Sequence, residues 1–341
     1  MSPLRLELAA PVAGRIKVLD ELKGVAIILV IIYHAGGVLT WSNGPHGEVG
    51  VDIFVILSGI GLTLGSARDG AGRFLAKRFW RIYPAYWIVL TLCLLGNALI
   101  GGQHSSGPDI ALHYLGIHGW FGDAYAMSIN DSFWFVTLIV SLYLVYLPMR
   151  SLVARPDRLL LAGAALSLAV SVLYFRLSQP VEFAHLSLRV PGFFVGLLAG
   201  RLLREGRLEI APTPALACAL LMIFYVPYLL GFLFTSVWVG CALMAGYAFL
   251  VRPVLPGAAR TGLAFLGDRS LEIFLIHQPL IREYNVYVLQ HLFPSAGITP
   301  GSLTVGMGVG LAATLVASVG LHALLRRLPW GGGSGAAPAA A

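Results

Sequence analysis

Ten apolar runs of roughly twenty residues follow one another along this chain, and a run of that length is what an α-helix needs to cross the hydrocarbon core of a bilayer. They lie near residues 19–41, 49–66, 83–101, 132–149, 159–175, 185–203, 213–230, 234–251, 270–290 and 303–325. The connections between them are too short to fold as an appended soluble domain. Hydrophobic residues make up 57% of the chain and charged ones 11%, with a mean hydropathy of +0.81, values outside the soluble globular range. The fold expected is an all-α, polytopic membrane bundle of about ten transmembrane helices. Residues 1–18 would form a cytoplasmic N-terminal segment, 19–327 the membrane domain, and 328–341 a tail with too little apolar surface to join a core. The first 18 residues carry neither an apolar core nor a small-residue cleavage site, so the first run is expected to stay as an anchor.

The cations set the orientation. With the N-terminus in the cytoplasm, the inner segments hold 20 of the 23 Lys and Arg residues, leaving only Arg176, Arg189 and Arg282 elsewhere. Cytoplasmic loops carry this excess, so both termini are expected on the cytoplasmic side of the inner (plasma) membrane. The formal net charge of +7 follows from that bias and needs no nucleic-acid partner. Cys93, Cys218 and Cys241 sit in apolar runs at no metal or redox spacing and read as packing residues. The longest external connection, 102–131, has no Lys or Arg and is rich in Gly and aromatics, so it is expected to form a lid over an external pocket. Its His104, His113 and His118 are not at zinc-site spacing.

Ionisable residues inside spans cost about 2.5–3.5 kcal/mol each on insertion scales, so those present need a reason. Lys23 and His34 are eleven residues apart, on nearly one helix face and separated by about 16 Å. Lys23 either snorkels to the inner headgroups or supplies a functional charge; His34 is either a helix contact or an acid–base group. Asp52, near the outer end of the next run, reaches a similar depth. A carboxylate there would fix the imidazole tautomer and stabilise the imidazolium, or it would serve helix capping instead. Gly59, Gly61 and Gly65, with Ser58 and Ser66, suit close helix packing; no G-x-S-x-G elbow makes Ser58 a nucleophile. In RFLAKRFWRIYPAYW, residues 73–87, Arg78 and Arg81 share a face, with Arg73 and Lys77 beside them. Guanidinium groups bind phosphates bidentately, so the cluster suits a phosphorylated cytosolic cofactor or anionic lipid. Pro84 marks a break or a helix start.

In order, LDELKGVAIILVIIYH, GVDIFVILSG, KRFWRIYPAYW, FWFVTLIVSLYLVYLP and LGDRSLEIFLIHQPL resemble the acyltransferase-3 family, membrane O-acyltransferases that modify cell-surface glycans, over about residues 18–327. The resemblance places His34 at the catalytic histidine of an Arg, ten residues, His pattern, in which Lys23 replaces the Arg. The charge survives and the bidentate fork is lost. It assigns Arg78 and Arg81 to the acyl-CoA side, where Lys77 and Lys23 add positive charge. Phe133, Trp134 and Phe135 match an aromatic segment; Trp134 would stack on a sugar face, or belong to an interfacial belt. His277 matches the late His motif and, with Arg282, is expected to position the acceptor. Glu272 and Arg282 lie at different depths and need not pair.

The resemblance implies transfer of a short acyl group, expected to be acetyl, from cytosolic acyl-CoA to a hydroxyl of an outward-facing glycan or lipid-linked glycan. His34 would act as base or transient acyl carrier, with Asp52 orienting it. A thioester is already activated, so no metal is expected. A transporter or flippase of glycan precursors is a second reading, which the few buried ionisable residues also suit, although the chain shows no matching half-chain repeats. A lipid-regulated scaffold is a third and leaves His34 without a role.

Overall fold

The computed structural model describes residues 16–40, 49–65, 70–99, 105–155, 158–159, 162–163, 165–166, 189–205 and 235–328. The helices are α1 (Lys17–Thr40), α2 (Val49–Gly65), α3 (Ala71–Leu99), α4 (Gly107–Leu115), α5 (Asp123–Ala126) and α6 (Trp134–Met149). After them come α7 (Val190–Arg204), α8 (Thr235–Gly246), α9 (Gly257–Asp268), α10 (Ser270–Gln278), α11 (Tyr284–His291) and α12 (Pro300–Arg327). No strand occurs among the described residues, which makes the class all-α. The run expected at 213–230, and most of that at 159–175, lie outside the described residues.

Among the described residues two helices, α3 with 29 residues and α12 with 28, are long and apolar enough to cross a membrane. At 1.5 Å per residue each exceeds a core of about 30 Å. They leave Leu92, Leu95 and Leu99, and Val305, Val309 and Val316, exposed. Rows of apolar side chains are costly in water and suit lipid. α3 starts at Ala71, well before the apolar run expected from residue 83, so the basic residues 73–81 are helical. Pro84 lies inside this helix, neither breaking nor starting it. Membrane helices tolerate proline where neighbours re-satisfy the freed backbone.

The described residues group into two compact units. Those within Met1–Leu29, Glu48–Ala71 and Leu142–Asp268 form the first, and those within Val30–Gly47, Gly72–Ser141 and Arg269–Ala341 the second.

In the first unit α2 is an interior helix, with Val49–Leu57 buried without a break. It packs backbone to backbone on α7. A Cβ at Gly59 would stand 2.5 Å from the Phe193 carbonyl oxygen, one at Gly200 would stand 2.8 Å from that of Ile60, and one at Gly196 would run into Ile56. Gly196 and Gly200 are four apart, the spacing that lets membrane helices approach closely. Gly61 and Gly65 face open space, so of the glycines read as packing residues only Gly59 does that work. The Thr63 hydroxyl lies 3.2 Å from the carbonyls of Gly59 and Leu197, while Tyr146 donates to Leu62 O at 3.3 Å and Arg204 to Thr63 O at 3.4 Å. Tyr146 and Arg204 thereby satisfy carbonyls that the end of α2 orphans. Gly24 and Gly267 likewise bring α1 against α9, each meeting backbone of the other helix.

In the second unit α10, a π-helical turn over Pro279–Glu283 and α11 form one continuous rod. Pro279 has no N–H for the carbonyl of Leu275. Asn130 supplies the missing donor from the connection before α6, at 3.3 Å. α12 faces this rod with a seam of residues four apart, Gly306, Gly310, Thr314, Ser318 and His322. Gly306 meets Asn285, Gly310 meets the Leu280 carbonyl, Thr314 and Ser318 are buried, and His322 bonds Glu272. The small residues permit close approach; His322 joins the helices, while the Thr314 and Ser318 hydroxyls bond carbonyls of their own helix, Gly310 O and Leu315 O.

Candidate functional site

The second half of α1 carries His34 and α10 carries His277, and both belong to the second unit. Their ring centroids are 5.0 Å apart with the planes inclined at 58°. His277 is fully buried, and its Nδ1 lies 2.8 Å from the carbonyl of Phe274 and 3.2 Å from that of Ile273. Carbonyls only accept, so Nδ1 carries the proton and Nε2 presents a lone pair. Nε2 has no hydrogen-bond partner among the described residues. His34 is only partly buried. A locked imidazole with a vacant acceptor thus stands beside a more open one.

The next residue, Gln278, is fully buried too; Ser132 donates its hydroxyl hydrogen to the Gln278 Oε1. Asn130 Oδ1 accepts from the Ser132 N–H at 2.9 Å while its amide holds Leu275. Arg282, one turn beyond, is exposed and bonds Asp131 at 2.8 Å. Glu272 instead pairs with His322 at 2.8 Å, so Glu272 and Arg282 take different partners, in keeping with their different depths.

The aromatic segment divides by role. Phe133 is fully buried edge-on to Tyr86 at 5.1 Å, and Phe135 packs on Phe274 at 4.7 Å. Neither can stack on a ligand. Trp134 is only partly buried and keeps that option.

On α3, Arg73, Lys77 and Arg81 recur every fourth residue and are exposed, forming one basic stripe. Arg78 is half-buried, its guanidinium 5.4 Å from the Phe74 ring centroid. This cluster also belongs to the second unit.

Lys23 and Asp52 belong to the first unit. Lys23 bonds Asp20 at 3.2 Å. Beside it, buried Glu21 accepts from Arg252 Nε at 2.7 Å and from the Tyr247 hydroxyl at 2.8 Å. Asp52 is fully buried against Gly240 of α8. α2 begins at Val49, so Asp52 sits in its first turn and not at the preceding cap position. There the helix dipole favours its charge.

Sequence reasoning missed Asn130, Ser132 and Gln278. One signal pointed to them: the proline after His-Gln orphans a carbonyl in a span, and something polar has to reach it. His104 lies outside the described residues. Among the described residues no group of three or more His, Cys, Asp or Glu side chains is placed to hold a metal ion.

A chain whose described residues are all-helical, with membrane-length helices, an imidazole pair and a basic stripe suited to phosphate, has the parts of a membrane-embedded group-transfer protein. A family model described as an acyltransferase domain matches residues 16–323, and the chain belongs to this acyltransferase-3 family. It is 32% identical over 119 residues to BcsY of Komagataeibacter xylinus, named as a membrane-bound transacylase, covering 34% of this chain and 27% of that one. It is 29% identical over 125 residues to the peptidoglycan O-acetyltransferase OatA of Listeria monocytogenes, covering 34% and 19%. A third relative, ORF330 of Acidianus two-tailed virus, named as an acetyltransferase, is 28% identical over 222 residues, covering 62% and 64%. The matched stretches thus span less than two thirds of each relative's length. No solved structure matches.

Proposed function

We propose that this protein moves a short acyl group, acetyl, from cytosolic acyl-CoA to a hydroxyl of an extracytoplasmic glycan or lipid-linked glycan. The observation that carries this reading is the imidazole pair: a reaction base that must hold a proton beside a neighbour built to accept a hydrogen bond. Arg81 and Arg78, with Lys77, take the phosphates of CoA. The acceptor hydroxyl gives its proton to His34 as its oxygen attacks the thioester carbonyl. The C–S bond breaks, an ester forms, and the imidazolium returns the proton to the thiolate. If the acyl group rests on His34 first, the same proton balance holds in two steps. His277 keeps its own proton on Nδ1 and accepts the N–H of His34 at Nε2, stabilising the imidazolium without taking its charge. Trp134 and Arg282 line the acceptor end. The names of BcsY and OatA support acyl transfer at a membrane.

The test measures acyl-CoA binding and acyl transfer side by side in reconstituted membranes. His34→Ala is expected to lose transfer by roughly a hundredfold to ten-thousandfold while keeping acyl-CoA binding. Arg78→Ala with Arg81→Ala is expected to weaken binding, each lost contact costing about 1.5–3 kcal/mol. Lys23→Arg is expected to be tolerated. Substantial transfer by His34→Ala would reduce that imidazole to a packing contact, and a transporter would show no thiol release from acyl-CoA at all.

A further inference from the structure

Just before α6 the chain turns through i→i+3 bonds. The Phe133 N–H donates to Asn130 O at 2.9 Å, that of Phe135 to Ser132 O at 3.3 Å and that of Val136 to Phe133 O at 2.9 Å. Asn130, Ser132, Phe133, Phe135 and Val136 are all buried. Asp131 and Trp134 are the two residues of this stretch that stay partly exposed. They are three apart, and side chains at that spacing line up in a turn of this kind. A carboxylate and an indole thus stand together at a surface, on a turn whose other side chains are locked in the interior.

The third member comes from the rod formed by α10 and α11. Arg282 Nη1 donates to Asp131 Oδ2 at 2.8 Å, with the two side chains 54% and 38% exposed. Arg282 follows His277 by about 7 Å along the rod, and its charge acts on His34 through space. Asp131, Trp134 and Arg282 belong to the same unit as His34 and His277. This surface therefore adjoins the imidazole pair.

Its chemistry is that of a sugar subsite. The indole offers an apolar face to ring C–H groups, and polar groups at its edge meet the hydroxyls. The bond to Arg282 leaves Asp131 Oδ1 as an acceptor, and the planar guanidinium keeps N–H donors besides Nη1. Acceptor beside donor matches neighbouring hydroxyls, each of which both gives and takes. Charge decides which sugar. Arg282 alone would draw the carboxylate of a uronic acid. Asp131 cancels that charge and sets a like charge where an acidic sugar would have to bind. A neutral ring loses nothing by this.

We propose, resting on the acyl-transfer reading above, that Asp131, Trp134 and Arg282 form an acceptor subsite for a neutral sugar ring, next to the ring whose hydroxyl meets His34. Asp131 is the residue that excludes acidic sugars.

The test uses two soluble probes, a neutral β-linked glucose tetrasaccharide and a uronic acid tetrasaccharide, with the protein in uncharged nanodiscs. Saturation-transfer NMR reads binding without chemistry, and thiol release from acetyl-CoA is followed in parallel. The neutral probe is expected to bind the more tightly, with saturation on its ring C–H protons that Trp134→Leu removes. Asp131→Asn keeps the size and the hydrogen bond to Arg282 but unmasks the cation. Uronate binding is therefore expected to rise about tenfold while the neutral probe weakens. An ion pair that only packs the turn against the rod would not change which probe is preferred. Native preference for the uronate probe, binding of neither, or a preference unmoved by Asp131→Asn would each overturn the subsite, whatever the acetyl-CoA assay shows. Binding as expected without any thiol release would leave the sugar site standing and overturn the acyl-transfer reading instead.

Discussion

At the scale of single residues, the consequential fact is that the His277 tautomer is decided by its own helix. Two carbonyls of the preceding turn take Nδ1–H, so the acceptor nitrogen points away from the backbone whatever lies in front of it. A residue that positions a base through one charge-assisted hydrogen bond contributes about 1.5–3 kcal/mol, roughly ten- to a hundredfold in rate. His277→Phe keeps the bulk and the ring and removes the acceptor. Single-turnover transfer in proteoliposomes is therefore expected to slow by that factor with acyl-CoA affinity unchanged, and His277→Gln, which retains an acceptor oxygen, is expected to recover part of it. An unaltered turnover in the Phe variant would leave His277 as packing alone. The nearness of His34 and His277 could not be read from the sequence, because no local pattern links the first span to a late one. Only the family resemblance singled out both.

At the scale of elements, the limits of α2, α6, α7 and α12 follow their apolar runs within a few residues, because there the helix and the hydrophobic stretch share both ends. α3 departs from this. Its first turns are basic, and hydropathy cannot see a helix that continues past the apolar edge. The seam of α12 was hidden for the opposite reason, since Gly306 and Gly310 look like any other small residues in a span until Asn285 and Leu280 are placed against them. The α2–α7 contact gives the corresponding prediction. Gly196→Ala drives a methyl into the Ile56 carbonyl, a backbone atom that cannot swing aside, whereas Gly61→Ala adds a methyl with nothing within 4 Å. Overpacking of this kind costs about 1–3 kcal/mol. Thermal unfolding in detergent is expected to show a clear drop in midpoint for Gly196→Ala and none for Gly61→Ala; equal midpoints would mean that the close approach is not a constraint.

For the whole molecule the open quantity is orientation, and the proposed chemistry is strict about it. Acyl-CoA does not cross membranes, so the stripe Arg73, Lys77 and Arg81 has to open to the cytoplasm while an outward-facing acceptor reaches His34 from the other side. The concentration of 20 of the 23 cations in alternate segments is the driving bias. Because α3 begins at Ala71, a reporter junction that leaves its basic turns intact belongs before it, after Arg68. That fusion and one after Arg207 are expected to report the cytoplasm. A fusion at Gly107, the start of α4, is expected to report the outside. An external signal at Arg68 would put the phosphate-suited stripe beyond the reach of CoA and end the proposed mechanism, whatever the histidine variants showed. An internal signal at Gly107 would instead leave α3 uncrossed, and the exposed leucines of that helix would then have no lipid to face.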